Sequence, residues 1–130
     1  MMAGKARLFG DDKMLKRILS EKNPRKQQQL GKLVGGFVQS VWASNCRSIV
    51  LQGNVAKFRQ NPDLLRAILA TGDKPLVEAS PVDRIWGIGL AADKAVHTRP
   101  RAWRGTNYLG QVLMKTREIL RATNALANNR

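Results

Sequence analysis

Two asparagine–proline pairs set the strongest limit on how this chain folds. Asn23-Pro24 and Asn61-Pro62-Asp63 each stand before apolar residues at helical spacing. Proline has a fixed φ and no N–H, so it suits the first turn of a helix, and the asparagine before it can accept from the freed N–H groups. The first pair predicts a helix carrying Gln27 to Val34 and closed by Gly35-Gly36. The second predicts one through Leu64, Leu65, Ile68 and Leu69, stopped by Gly72. Asp11 and Asp12 predict a capped helix from Lys13 to Glu21, with Met14, Leu15, Ile18 and Leu19 on its buried face. Met1 to about Leu8 reads as the end of a helix. Phe37 to Gln60 is the longest periodic stretch, through Phe37, Val38, Val41, Trp42, Ile49 and Val50. A final helix is expected from Asn107 to Ala125, with Leu109, Val112, Leu113, Ile119 and Leu120 inward. Only Pro75-Leu76-Val77-Glu78-Ala79, short and flanked by turn residues, predicts a strand. Ser80 to Thr106 lacks a helical period over most of its length and reads as a long loop, functional or mobile. The expectation is a mainly α, single-domain fold with at most a short β element.

Charge narrows the partners. The chain has 130 residues with 23 Lys and Arg against nine acidic residues, a net charge of +14. Such a balance attracts phosphate, whether on a nucleotide, a sugar phosphate or a nucleic-acid backbone. No apolar run approaches membrane-spanning length, and the N-terminus MMAGKARLFGDD is not a signal-peptide pattern. One cysteine, Cys46, and one histidine, His97, exclude an internal disulfide and a Cys/His zinc site. No Ser-His-Asp set, P-loop or paired-carboxylate pattern is present. A cytoplasmic protein without metal or cofactor is expected.

Three of the seven aromatic residues are tryptophan. Trp42 lies in V-W-x-x-x-x-R with Arg47, Trp86 in D-R-I-W-G-I-G, and Trp103 in R-A-W-R-G. An indole face beside a guanidinium suits a flat heteroaromatic ring carrying phosphate. Each indole also suits a core position with its N–H satisfied, and Trp42, on an apolar helix, sits where that role is expected. Gly87 and Gly89 would let backbone approach a ligand, but the third glycine of a dinucleotide fingerprint is absent. Asp83, with Arg84 beside it, fits an acid/base, a sugar-hydroxyl ligand or a turn aspartate bonded to its own backbone. Lys5, in A-G-K-A-R-L-F, would become a nucleophile if a dry pocket lowered its pKa. The nine basic and three acidic residues through Lys32 read most simply as a solvated helical face. Asn107, in G-T-N-Y-L-G, reads as an N-cap.

The runs V-W-A-S-N-C-R-S-I-V-L-Q-G-N-V-A-K-F, A-T-G-D-K-P-L-V-E-A-S-P-V-D-R-I-W-G-I-G-L and W-R-G-T-N-Y-L-G-Q-V-L-M-K-T-R resemble the NADAR family, also called YbiA-like. The likeness spans 1–121 and leaves 122–130 as a polar tail. It implies a YbiA-like helical fold and an N-glycosidase that hydrolyses the N-glycosidic bond of a phosphorylated ribosyl compound. The substrate so implied is a phosphoribosylamino-pyrimidine of the riboflavin-biosynthesis type, or ADP-ribose attached to a base. Carried over residue by residue, it points to Lys5 and Asp83 as catalytic groups. Lys5 would attack or orient at C1′, and Asp83 would hold or protonate. The binding residues so implied are Trp42, Arg47, Asn54, Lys57, Arg84, Trp86, Gly87, Gly89, Asn107 and Gly110, with Trp103 at the pocket edge.

The resemblance also implies a departure. Family members carry an S-N-F/W motif and a P-T-x-E-H stretch that would precede Met1, with the glutamate about two helical turns before Lys5. From this, weak or absent hydrolase activity and an exposed apolar groove along the Phe37–Gln60 and final helices are expected, with a longer form as the active enzyme. The alternative function is a non-catalytic module that binds nucleic acid, ADP-ribose or a nucleotide.

Overall fold

The computed structural model describes residues 1–128, with side chains through 125. They form two compact units, the first running from Met1 to Gly53 and the second from Asn54 onward. The described residues are mainly helical, and none is in a strand.

The first unit holds α1 (Met2–Leu8), α2 (Asp12–Ser20), α3 (Pro24–Lys32) and α4 (Gln39–Gln60) as far as Gly53. Its punctuation is as the sequence predicts. Asp11 accepts from Met14 N, and Asn23 accepts from Arg25 N and Lys26 N ahead of Pro24. Ala6, Met14, Ile18 and Val34 form the core, with Met2, Ala3, Phe9, Leu15 and Leu30 packed on it. Leu19 departs from expectation and stands 60% exposed. With only α1 and α3 against it, α2 buries the narrow Met14–Ile18 stripe rather than a wide face.

The second unit holds the rest of α4, then α5 (Pro62–Ala70), α6 (Ala92–Ala95), a 3-10 turn (Pro100–Ala102) and α7 (Tyr108–Asn128). The expected long loop therefore contains two short helical pieces. Of the expected polar tail, 122–128 continue α7, and 129–130 lie outside the described residues. Ile68, Ile88, Leu90, Val112 and Leu120 are buried. The two helices on which an apolar groove was expected differ in exposure. Val38 and Val41 are exposed at the start of the Phe37–Gln60 stretch, but no large apolar side chain of α7 stands exposed among the described residues.

The predicted strand at Pro75–Ala79 does not form. Its main chain is instead held by one side chain: Asn107 Oδ1 accepts from Glu78 N at 3.0 Å, and Asn107 Nδ2 donates to Leu76 O at 3.0 Å. A side-chain amide can satisfy extended backbone as a neighbouring strand would, so β-like composition here does not yield a sheet. Two arginines one turn apart on α7 close the end of α5. Buried Arg117 donates to Thr71 Oγ1 and Lys74 O, both at 2.8 Å, and Arg121 donates to Gly72 O and to Asp73. Cations suit that end because its last carbonyls lack helical partners. Arg121 also holds the Asp73 carboxyl below the usual range.

Candidate active site

In the first unit, Lys5 is held by geometry rather than solvated. Its Nζ donates to Gly31 O at 2.8 Å and lies 4.2 Å from the Phe37 ring centroid and 5.8 Å from that of Trp42. Gly31 lies in the last turn of α3, where carbonyls lose their partners. Had the helix continued, Gly35 N would have bonded Gly31 O. It donates instead to Asp11 Oδ2 at 2.9 Å, leaving that carbonyl for the lysine. A side chain at position 31 would collide with Met2, so glycine lets α1 approach α3 here.

Partial burial lowers the Lys5 pKa from the ordinary lysine range. The ring faces act in the opposite sense, because an aromatic face favours a cation. The sequence reading of the basic N-terminal third as a solvated face therefore fails at Lys5. Trp42 is half-buried beside it, and Arg47, farther along α4, is exposed. A cleft of about 540 Å³ in this unit runs between α1 and α4 past Gly4, Asn45 and Ile49.

In the second unit, the D-R-I-W-G-I-G segment is knitted into the start of α7. The carbonyls of Arg84, Ile85, Trp86, Gly87 and Ile88 accept in turn from the N–H groups of Thr106, Tyr108, Leu109, Asn107 and Arg104, at 2.9 to 3.2 Å. This main chain takes up the Asn107, Tyr108 and Leu109 N–H groups at the helix start. Asn107 thus precedes α7 but does not cap it with its side chain, which is spent on Leu76 and Glu78. It is buried and has φ +53°, a region asparagine tolerates better than most residues.

Asp83 is a turn aspartate. Its Oδ1 accepts from Ile85 N at 2.9 Å and Trp86 N at 2.8 Å. Trp86 is half-buried and meets Tyr108 edge-on, centroids 6.0 Å apart. The glycines serve packing. A Cβ at Gly87 would lie 2.8 Å from Asp83 O, and one at Gly110 would lie 2.2 Å from Leu76 O. Gly89, at φ +68°, sits against Arg104 and Arg84. Arg84 is exposed, while the Trp103 indole N–H is a buried donor without a hydrogen-bond partner among the described residues. On the last turns of α4, Asn54 is half-buried and Lys57 exposed, its Nζ 5.7 Å from the Phe58 ring.

Sequence reasoning missed Phe37, Gly31, Asp11 as a tertiary anchor, and Gly105, where a Cβ would lie 2.4 Å from Gly87 O. The W-R-G signal for Gly105 was visible. Nothing in the sequence pairs Phe37 with Lys5.

The NADAR domain profile matches residues 1–121. The chain belongs to the NADAR family. Among NADAR relatives, N-glycosidase R617 of Acanthamoeba polyphaga mimivirus is 49% identical over 118 residues, covering 91% of this chain and 69% of its own. Protein irg-1 of Caenorhabditis elegans is 38% identical over 132 residues, 99% of this chain and 62% of its own. N-glycosidase YbiA of Escherichia coli (strain K12) is 29% identical over 115 residues, 88% and 65%. The chain thus spans roughly two thirds of the length of these NADAR proteins. No described helix is long and apolar enough to cross a membrane.

Proposed function

We propose that this NADAR protein is an N-glycosidase with a YbiA-like fold, acting in the cytoplasm without a cofactor on a ribosyl compound that carries phosphate. The observation that carries the reading is the Lys5 setting: an amine with a lowered pKa, fixed by Gly31 O and walled by Phe37 and Trp42. Relatives named N-glycosidases support the reaction class.

Neutral Lys5 attacks C1′ as the C1′–N bond breaks, and the bond's electron pair leaves on the base nitrogen. The proton released from Nζ goes to that nitrogen. In the new C1′–Nζ adduct the C1′–O4′ bond breaks and O4′ takes a proton from solvent, leaving a protonated imine. Water adds to its carbon, the amine leaves, and the sugar is released with the proton returned to solvent. In the first unit, Trp42 is the stacking face beside Lys5 and Arg47 serves phosphate. For the second unit, the family resemblance gives Trp86 the role of a stacking face, Arg84 and Lys57 phosphate contacts, Asn54 a sugar contact, and the buried Trp103 N–H a polar contact. Asp83, Gly87, Gly89, Asn107 and Gly110 build the loop that presents Trp86, with Asp83 a positioning residue in this assignment. The substrate classes are a phosphoribosylamino-pyrimidine and an ADP-ribosylated base.

The test supplies both substrates and measures release of ribose 5-phosphate or ADP-ribose. Lys5→Ala and Lys5→Arg should both be inactive, since arginine keeps the charge but cannot deprotonate. Full activity in either sinks the assignment. The net charge of +14 favours a second reading, a nucleic-acid-binding module. Backbone binding weakens steeply with salt, whereas pocket binding of ADP-ribose does not.

A further inference from the structure

Resting on that function, we infer that Phe37, delivered by the Asp11-anchored Gly35–Gly36 turn, is a positioning residue that sets the approach line of Lys5. Five contacts in one unit carry this. Asp11 accepts from Met14 N and Gly35 N, both at 2.9 Å, so one carboxylate both starts α2 and fixes the turn after α3. The turn reverses at Gly36, φ +67°, where a glycine is at ease. Phe37 follows immediately and packs on Phe9, centroids 5.3 Å apart at 60°. Its ring then lies against the ammonium of Lys5, which Gly31 O holds from another side.

A lysine has four rotatable side-chain bonds, and a single hydrogen bond does not fix its direction. The ring removes directions that the carbonyl leaves open. Asp11 serves both restraints, because the donor it takes from Gly31 O is the one that anchors the turn. Phe37 is partly exposed and lies outside the first unit's buried cluster, so its contribution to holding the unit together is small.

The experiment has two readouts. Lysines of the intact chain are reductively methylated with carbon-13 and observed by NMR, with the Lys5 resonance assigned by its loss in Lys5→Arg. In the parent it should lie upfield of exposed lysines because of the ring. It should move to the exposed position in Phe37→Leu and stay upfield in Phe37→Tyr. On unmethylated protein, kcat should fall about tenfold to a hundredfold in Phe37→Leu with KM within twofold, and Phe37→Tyr should keep most of it. Asp11→Asn keeps an acceptor for Met14 N but presents an amide to Gly35 N–H, and it should lower kcat in the same way. An unmoved Lys5 resonance in Phe37→Leu overturns the inference. So does a moved resonance with unchanged kcat. Absence of turnover both in the parent and in a form extended by the family's N-terminal segment overturns the N-glycosidase assignment and the catalytic role with it, while the resonance still decides whether the ring holds the lysine.

Discussion

The Lys5 cage and the Asp83–Gly89 loop are built in opposite ways. Around Lys5, side chains converge on an amine: two rings, with one carbonyl left over by a helix end. In the loop, main chain meets main chain, and the polar side chains are consumed in making the turn. The residue pattern alone suggested a solvated face across the basic N-terminal third and a long loop, functional or mobile, from Ser80 to Thr106, while the family resemblance pointed to Lys5 and Asp83 alike as catalytic. The difference teaches that a run of Gly, Asp and Trp can be a framework, while a lysine in a basic helix can be partly dried and held in place.

The sharpest way to break this comparison is to remove one group from each side. Lys5→Ala should cut turnover by about 10³-fold or more, as loss of a nucleophile does, with little change in melting temperature. Asp83→Asn retains an oxygen acceptor for Ile85 N and Trp86 N, and should leave turnover within about threefold. A dead Asp83→Asn that melts normally would place the loop carboxylate in the chemistry and erase the contrast.

Stability should show the opposite ranking. Gly105→Ala forces a Cβ to 2.4 Å from Gly87 O and 2.8 Å from Arg84 Cα. Backbone cannot step aside as a flexible side chain can, so a loss of about 3 kcal/mol is expected in denaturant unfolding. Asn107→Ala strands Glu78 N–H and Leu76 C=O and puts alanine at positive φ, for about 2 kcal/mol. A Gly105→Ala protein with parental stability would mean that the loop is not the framework described.

The smallest effect sharpens the first side. Bonds from Gly35 N and then Met14 N, aided by Lys13, hold the Asp11 carboxyl below its usual pKa, with desolvation opposing. Its folded pKa is depressed, so its stabilisation is present above the unfolded value and is lost as pH falls through the folded one. Melting between pH 5 and 2 should therefore fall more steeply in the parent than in Asp11→Asn. Equal slopes would mean that the Asp11 anchor does not stabilise the unit.

Helix starts were legible because capping is local. As caps, Asp11 and Asn23 accept from N–H groups within three residues of themselves. Asn61-Pro62 also marked a start, though Asn61 Nδ2 donates back to Lys57 O and makes no cap bond. The rest was hidden by sequence separation. Asn107 reaches residues 29 and 31 positions away, and Arg117 reaches 43 and 46. Such bonds leave no period, so Pro75–Ala79 resembled a strand and nothing marked Arg117 and Arg121 as structural. Lys5 came into view through family resemblance. Phe37 did not, because Gly35-Gly36 announces where a helix stops but not where the turn delivers the next ring.

Chemistry at Lys5 is tested most directly by trapping. The parent is incubated with substrate and borohydride, digested, and weighed by mass spectrometry. A sugar-phosphate adduct, reduced and stable, is expected on the peptide that carries Lys5 and on no other. Rapid product release with Lys5 unmodified, in a protein whose Lys5→Ala variant turns over at the parental rate, would contradict the account.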